Sequence, residues 1–159
     1  MEDLVIRFGA WEGPRNPTAD DIRKALEDIE SGACARPEFT IENVSNWKPE
    51  VRDGQRVIRC VMEGRYATAA TFYDEGNPIP LGWFVTYHAE DDSRFALATA
   101  DDGAGRYVEG ICYGGPLTVR ASCLVPLGVA FDALAYFAQH RNRSPNHTWL
   151  VESECYRFE

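Results

Sequence analysis

No apolar run in this chain approaches the roughly 20 residues that a membrane-spanning helix needs. The start, Met1-Glu2-Asp3-Leu4, is acidic where a secretory signal is basic, and its apolar run is short and interrupted by charge. There is no Cys-x-x-Cys, no Gly-x-Gly-x-x-Gly or phosphate loop, and no strained Gly-x-Ser-x-Gly turn. Those absences remove the paired-thiol zinc sites, the dinucleotide and nucleotide cradles, and the serine hydrolase elbow. Only three histidines occur, at positions 88, 140 and 147. Basic residues are also short: 16 Lys and Arg stand against 25 Asp and Glu, for a net charge of −9. A free-standing nucleic-acid binder needs a basic surface, so no direct nucleic-acid contact is expected. The five cysteines are odd in number and widely spaced, and three of them (Cys60, Cys112, Cys123) sit in apolar runs. That usage fits reduced thiols in a cytoplasm better than a disulfide framework.

What is present suffices for one core. At 159 residues and 45% hydrophobic, the chain is expected to form a single domain over 1–159. Leu4 to Phe8 reads as a strand, and Gly13-Pro14-Arg15-Asn16-Pro17 as a break. Thr18 is a good N-cap, with Asp20 and Asp21 at the positive end of the helix that follows. Ile22, Ala25, Leu26 and Ile29 make one helical stripe, which Ser31-Gly32 ends. Strands follow: Phe39 and Ile41 alternate with Thr40 and Glu42, and Asp53-Gly54 signals a hairpin. Further strands run over Tyr66 to Tyr73, Leu81 to His88, Phe95 to Thr99, Tyr107 to Tyr113 and Leu117 to Val125. Asp102-Gly103-Ala104-Gly105 reads as a turn between two of them. Pro126 opens a second helix with Val129, Ala130, Ala133, Leu134 and Phe137 on one stripe, and Thr148 to Glu152 is a last strand. The expected fold is α+β: a curved antiparallel β-sheet, or meander, with two main helices, one near each end of the chain. Two helices cannot cover both faces of so wide a sheet. Either one face stays partly open with its aromatics available, or the sheet curls and buries them.

Candidate chemistry is sparse. His88-Ala89-Glu90 matches the His-x-Glu of zinc deaminases, but the partner cysteines are missing and His88 ends a strand rather than sitting on a helix. Cys112 or Cys123 would need a base and an electropositive setting to act as nucleophile. Glu63, Glu109 and Asp132 are the candidates for buried carboxylates. No catalytic, cofactor-binding or metal-binding residue is assigned, and the chain is read as a binding protein rather than an enzyme.

The acids cluster, notably at Glu90, Asp91 and Asp92 and at Asp101 and Asp102. Such clusters solubilise, and they also steer a protein towards a basic partner. Tight binding further needs a buried apolar centre inside the acidic rim. Trp83, Tyr87 and Trp47 are the candidates for it, each competing with a place in the core.

The last third adds a specific order. Tyr113-Gly114-Gly115 leads a strand to Leu124. Val125-Pro126 then enters a helix carrying Ala130, Ala133 and Phe137, and Arg143-Ser144-Pro145 and Trp149 follow. This order, over residues 106 to 152, resembles the bacterial immunity-protein family Imm, type one, of polymorphic toxin systems. The chain departs from that family in having Leu150 after Trp149, with the acid at Glu152, and in placing Ser144 between Arg143 and Pro145. The resemblance implies a cognate inhibitor that binds and neutralises a toxin domain, often a deaminase acting on nucleic acid. No cofactor and no membrane contact are expected, and a monomer before toxin binding is favoured. The competing expectations are a small-molecule-binding domain or enzyme using the open sheet face as a pocket, and a structural subunit pairing with its own copies.

Overall fold

The computed structural model describes residues 2–100 and 105–157. Asp101, Asp102 and most of the turn expected at 102–105 lie outside the described residues. The strands β1 (Leu4–Phe8) and β2 (Trp11–Arg15) precede helix α1 (Ala19–Glu30). Next come β3 (Glu38–Asn43), β4 (Trp47–Arg52), β5 (Gln55–Cys60), β6 (Tyr66–Tyr73), β7 (Pro80–His88) and β8 (Arg94–Ala98). Then follow β9 (Tyr107–Cys112), β10 (Gly115–Arg120), helix α2 (Leu127–His140), β11 (Thr148–Val151) and β12 (Tyr156–Arg157). The main sheet runs β11-β8-β7-β6-β3-β1-β2, every pair antiparallel. The fold is thus α+β, with a helix near each end of the chain.

Period-two alternation decides which side of the sheet each residue serves. Leu4 and Ile6 on β1, Phe39 and Ile41 on β3, Ala67 and Ala69 on β6, and Trp83, Val85 and Tyr87 on β7 enter one core. The helices cover that core with Ile22, Leu26 and Ile29 from α1 and Ala130, Leu134 and Phe137 from α2. A capping box starts α1: the Thr18 hydroxyl accepts from the Asp21 amide at 3.2 Å, and the Asp21 carboxylate accepts from the Thr18 amide at 2.9 Å. Pro126 is the N-cap of α2 rather than its first helical residue, and Arg141 ends the helix in the left-handed region at φ 56°.

Three expectations change. The segment read as a break begins inside β2, which runs to Arg15 and pairs with β1 at the sheet edge. Pro14 is tolerated there because an outward edge needs no donor. The strand expected from Leu117 to Val125 stops at Arg120, and a short 3-10 turn, Ala121–Cys123, redirects the chain. Lastly, the helix-free face is neither wholly open nor wholly buried. The β9–β10 hairpin turns back across it, touching the main sheet at Tyr73↔Ile111, and β12 adds to β10. Beneath that arm Ala70, Phe72, Phe84, Ala96, Cys112, Val119, Cys123 and Cys155 form a second core. Sheet curling therefore covers one half of the face.

The β4–β5 hairpin stands apart as a two-stranded sheet. Asp53 and Gly54 hold φ of 51° and 77°, the two left-handed residues of a tight type I′ turn. Register places Trp47, Pro49 and Val51 opposite Cys60, Ile58 and Arg56, on one face. On the other face Glu50 binds Arg52 at 2.6 Å and Arg59 at 3.1 Å.

Docking of the arm depends on one close approach. A Cβ on Gly110 would overlap the Tyr73 carbonyl oxygen and the Phe72 ring. Gly110→Ala should cost roughly 1–3 kcal/mol in urea unfolding, because the arm must lift from β6. Gly115→Ala, on the same hairpin but with nothing within 4 Å of its added Cβ, should stay near the parent.

Candidate functional site

The acidic residues expected to meet a partner divide. Glu90, Asp91 and Asp92 form the turn between β7 and β8, where all are exposed or half-exposed at the sheet end. Asp92 adopts φ 67°, and the Asp91 carboxylate accepts from the Ser93 amide at 3.0 Å. Hydrogen bonding from the Ser93 side chain, and then from its amide, holds the Asp91 carboxyl below its ordinary range. Glu90 lies 3.8 Å from the Arg65 guanidinium, a solvated pairing of little energetic weight.

Trp83 and Tyr87 are corrected: both are core residues, 0% and 3% exposed. They lie on the sheet face that the two helices cover, so neither is available to a partner in the folded chain. The Trp83 indole donates to Glu30 at 2.8 Å, and Tyr87 packs edge-on against Phe137 and Trp149. Other expectations shift as well. His88 ends β7 as expected but is buried there, and it stacks on Tyr66 at 4.0 Å between ring centroids. Glu63, Glu109 and Asp132 are all exposed. Cys112 is buried, and burial pushes its thiol up to about 12, the opposite of an activated nucleophile. Arg143, Ser144 and Pro145 join α2 to β11. Arg143 lies 3.7 Å over the Phe95 ring, and the Trp149 indole donates to the Ser144 carbonyl at 3.0 Å.

The structure brings together a groove that the sequence did not reveal. It crosses the uncovered half of the helix-free face, between the β4–β5 hairpin and the tip of the β9–β10 hairpin. Its floor is the buried ion pair of Arg7 and Glu42, at 2.9 Å. Glu42 also accepts from the Trp47 indole at 3.0 Å and from Asn46 at 3.3 Å, so its charge is fully engaged. Arg7 donates to the Val44 carbonyl at 2.9 Å and lies 5.4 Å from the Trp47 ring centre. Midway, the Thr68 hydroxyl bonds to that of Thr86 and, at 3.2 Å, to that of Tyr113. Tyr113 is 44% exposed, so its ring stands as a wall with its hydroxyl turned in.

Two carboxylates flank that wall, and each has a buried oxygen without a hydrogen bond: Glu38 Oε2 and Glu152 Oε2. Burial raises the pKa of both, against the pull of Arg36 on Glu38 and of Arg94 on Glu152. Glu152 comes within 4.0 Å of His88 Nε2. Burial, with help from the Arg94 charge, pushes His88 down to about 4, so its imidazole is neutral near pH 7. A cavity of about 280 Å³ adjoins Glu38, lined also by Glu42, Trp47, Met62, Thr68 and Tyr113. A second, of about 250 Å³, adjoins Glu152 with Phe84, Cys112, Tyr113 and Tyr156. The wider cleft outside the arm, about 490 Å³, presents Asp74, Glu75, Glu109 and Arg157. Those four are exposed, so they offer a ligand only solvated charge.

Comparison of the chain with protein-family models, with curated proteins and with solved structures gave no match.

The titrations fix a sign. His88 has its folded pKa below the unfolded value, so its contribution is present above about pH 6.5 and is lost as pH falls towards 4. The loss amounts to roughly 2–3 kcal/mol. Glu152 and Glu38 act oppositely, because protonation relieves their burial. Between pH 6.5 and 4 the thermal midpoint of the parent should therefore fall more steeply than that of His88→Gln. Equal slopes would show that His88 does not titrate in this range.

Proposed function

We propose that the chain is an immunity protein that acts in the cytoplasm by binding and neutralising a cognate bacterial toxin domain, of deaminase or other nucleic-acid-targeting type. The observation that carries this reading is the β7–β8 turn. Three consecutive acids project from the sheet end on a backbone held by its own hydrogen bonds, Ala89 amide to Ser93 carbonyl at 2.9 Å and Ser93 amide to Asp91. Among the described residues their charge enters one loose pairing, of Glu90 with Arg65. A toxin that handles nucleic acid presents cationic surface, and a pre-set acidic turn on a chain of net charge −9 steers it in rapidly. The family-like order over 106 to 152 supports the same reading. Exposed apolar residues on the β4–β5 hairpin, Val51 and Ile58 at 70% and 69%, supply contact area that Trp83 and Tyr87 cannot.

A second reading, a small-molecule-binding domain using the open sheet face, draws on the two cavities beside Tyr113. Affinity capture from the native host, washed at low and high salt, separates the two. We expect one stoichiometric protein with a toxin-like domain. The variant carrying Glu90→Gln, Asp91→Asn and Asp92→Asn should associate about tenfold more slowly at low salt, and the difference should shrink in high salt. A partner whose association ignores those changes would remove the acidic turn from the interface. A copurifying small molecule with no protein would favour the second reading.

A further inference from the structure

The open-face groove holds two carboxylates in a state that folding alone does not favour. Among the described residues, Glu38 Oε2 and Glu152 Oε2 are buried and accept no hydrogen bond, Glu152 Oε2 coming only within 4.0 Å of His88 Nε2. A buried acceptor left bare is destabilising, and more so when it carries charge. The nearby cations are otherwise placed. Arg7 is held by Glu42, Glu12 and the Val44 carbonyl. Arg94 and Arg36 act on the carboxylates through charge alone, with no ion pair to either among the described residues. Glu38 and Glu152 each line a cavity of their own, and Tyr113 lines both.

The complement of such a cavity is a cation with N–H donors on an apolar stem. A guanidinium or ammonium head supplies the missing hydrogen bond and the missing charge together. Its methylene stem packs on aromatic and thioether surface, and its head gains from the face of Tyr113. The surroundings indicate that the cation arrives on a protein. Trp47 and Cys60, which line the first cavity, belong to the same hairpin face as Val51 and Ile58. That face continues outward from the cavity through exposed Pro49, Ile58 and Val51 and ends at Arg56, with Met62 beside it at 38% exposed. On the reverse face Glu50 is held between Arg52 and Arg59, which leaves the apolar side turned to solvent. A small cation would leave this surface bare, whereas a polypeptide covers it.

We propose that the groove takes basic side chains, arginine or lysine, of the protein partner, with Glu38 and Glu152 as their anchoring carboxylates. This deepens, and rests on, the immunity reading. It gives the acidic β7–β8 turn the work of attraction and the groove the work of retention.

The test uses the full chain labelled with ¹⁵N and the peptide acetyl-Ala-Arg-Ala-Arg-Ala-amide, with citrulline in place of arginine as the control. The expected result is saturable shifts at the Thr40, Thr68 and Tyr113 amides and the Trp47 indole, caused by the arginine peptide only. Glu38→Gln and Glu152→Gln should each weaken binding about tenfold, the loss of one charge-assisted hydrogen bond. Both variants should melt at or above the parent temperature, which separates lost binding from lost folding. The variant lacking charge at 90, 91 and 92 should keep the groove shifts. Shifts confined to residues 89–93, unchanged affinity in both glutamine variants, or a small molecule already seated in the groove would each overturn the proposal. A captured toxin bound with full affinity by both variants would sink the groove and leave the immunity reading standing. Peptide binding in the groove without any protein partner would do the reverse.

Discussion

From Trp83 to His88, strand β7 is buried on both faces, and the rest of the molecule is arranged around that requirement. Trp83, Val85 and Tyr87 point to one side, Phe84, Thr86 and His88 to the other, and all are buried. One side is met by α1 and α2, whose apolar stripes match it. The other has no helix left to cover it. The chain meets it by turning β9 and β10 back across the sheet, an approach that Gly110 permits and a side chain there would block. The arm is short, so its cover ends at the Tyr113-Gly114 turn. Beyond that turn the face changes from Phe72 and Phe84 to Thr68, Thr86, His88 and Glu42. The groove is thus where the second core runs out.

A sheet face left half covered carries polar groups of two kinds. Glu42 is satisfied in every direction, by Arg7, Trp47 and Asn46, and it ties the β4–β5 hairpin to the main sheet. Removing either member of that pair strands a buried charge, which is the costly way to break such a contact. Glu38 and Glu152 are of the other kind, shielded but unsatisfied. Stability alone would favour glutamine or an apolar residue at both positions. Carboxylates kept in such places are a recurrent cost of binding sites, where free energy withheld from folding is recovered with the ligand.

Much of the architecture was legible in the sequence because it follows from local rules. The Thr18 cap, the stripe Ile22, Ala25, Leu26 and Ile29, and the Asp53-Gly54 turn are each set by residues within a few positions of one another. The alternation of Trp83, Val85 and Tyr87 was equally plain, but alternation does not say which face the helices will choose. Strand β2 was missed because Pro14 reads as a breaker unless its edge position is known. The groove was out of reach for a related reason. Its members come from β1, β3, β6, the β9–β10 turn and the residue after β11, and no spacing links Glu38 to Glu152. One signal was available in β3, where Glu38, Thr40 and Glu42 share a face opposite Phe39 and Ile41. Three polar residues on one side of an interior strand mark a face that a core does not claim.

The central claim is that Glu38 and Glu152 are held for a partner at the expense of the free fold. The measurement that tests it most directly is the melting temperature of the double variant Glu38→Gln, Glu152→Gln, alone and with a saturating amount of the captured partner. The account predicts a crossover, in which the variant melts above the parent when free and below it in complex. A variant that melts below the parent when free, and gains as much from the partner as the parent does, would contradict the account.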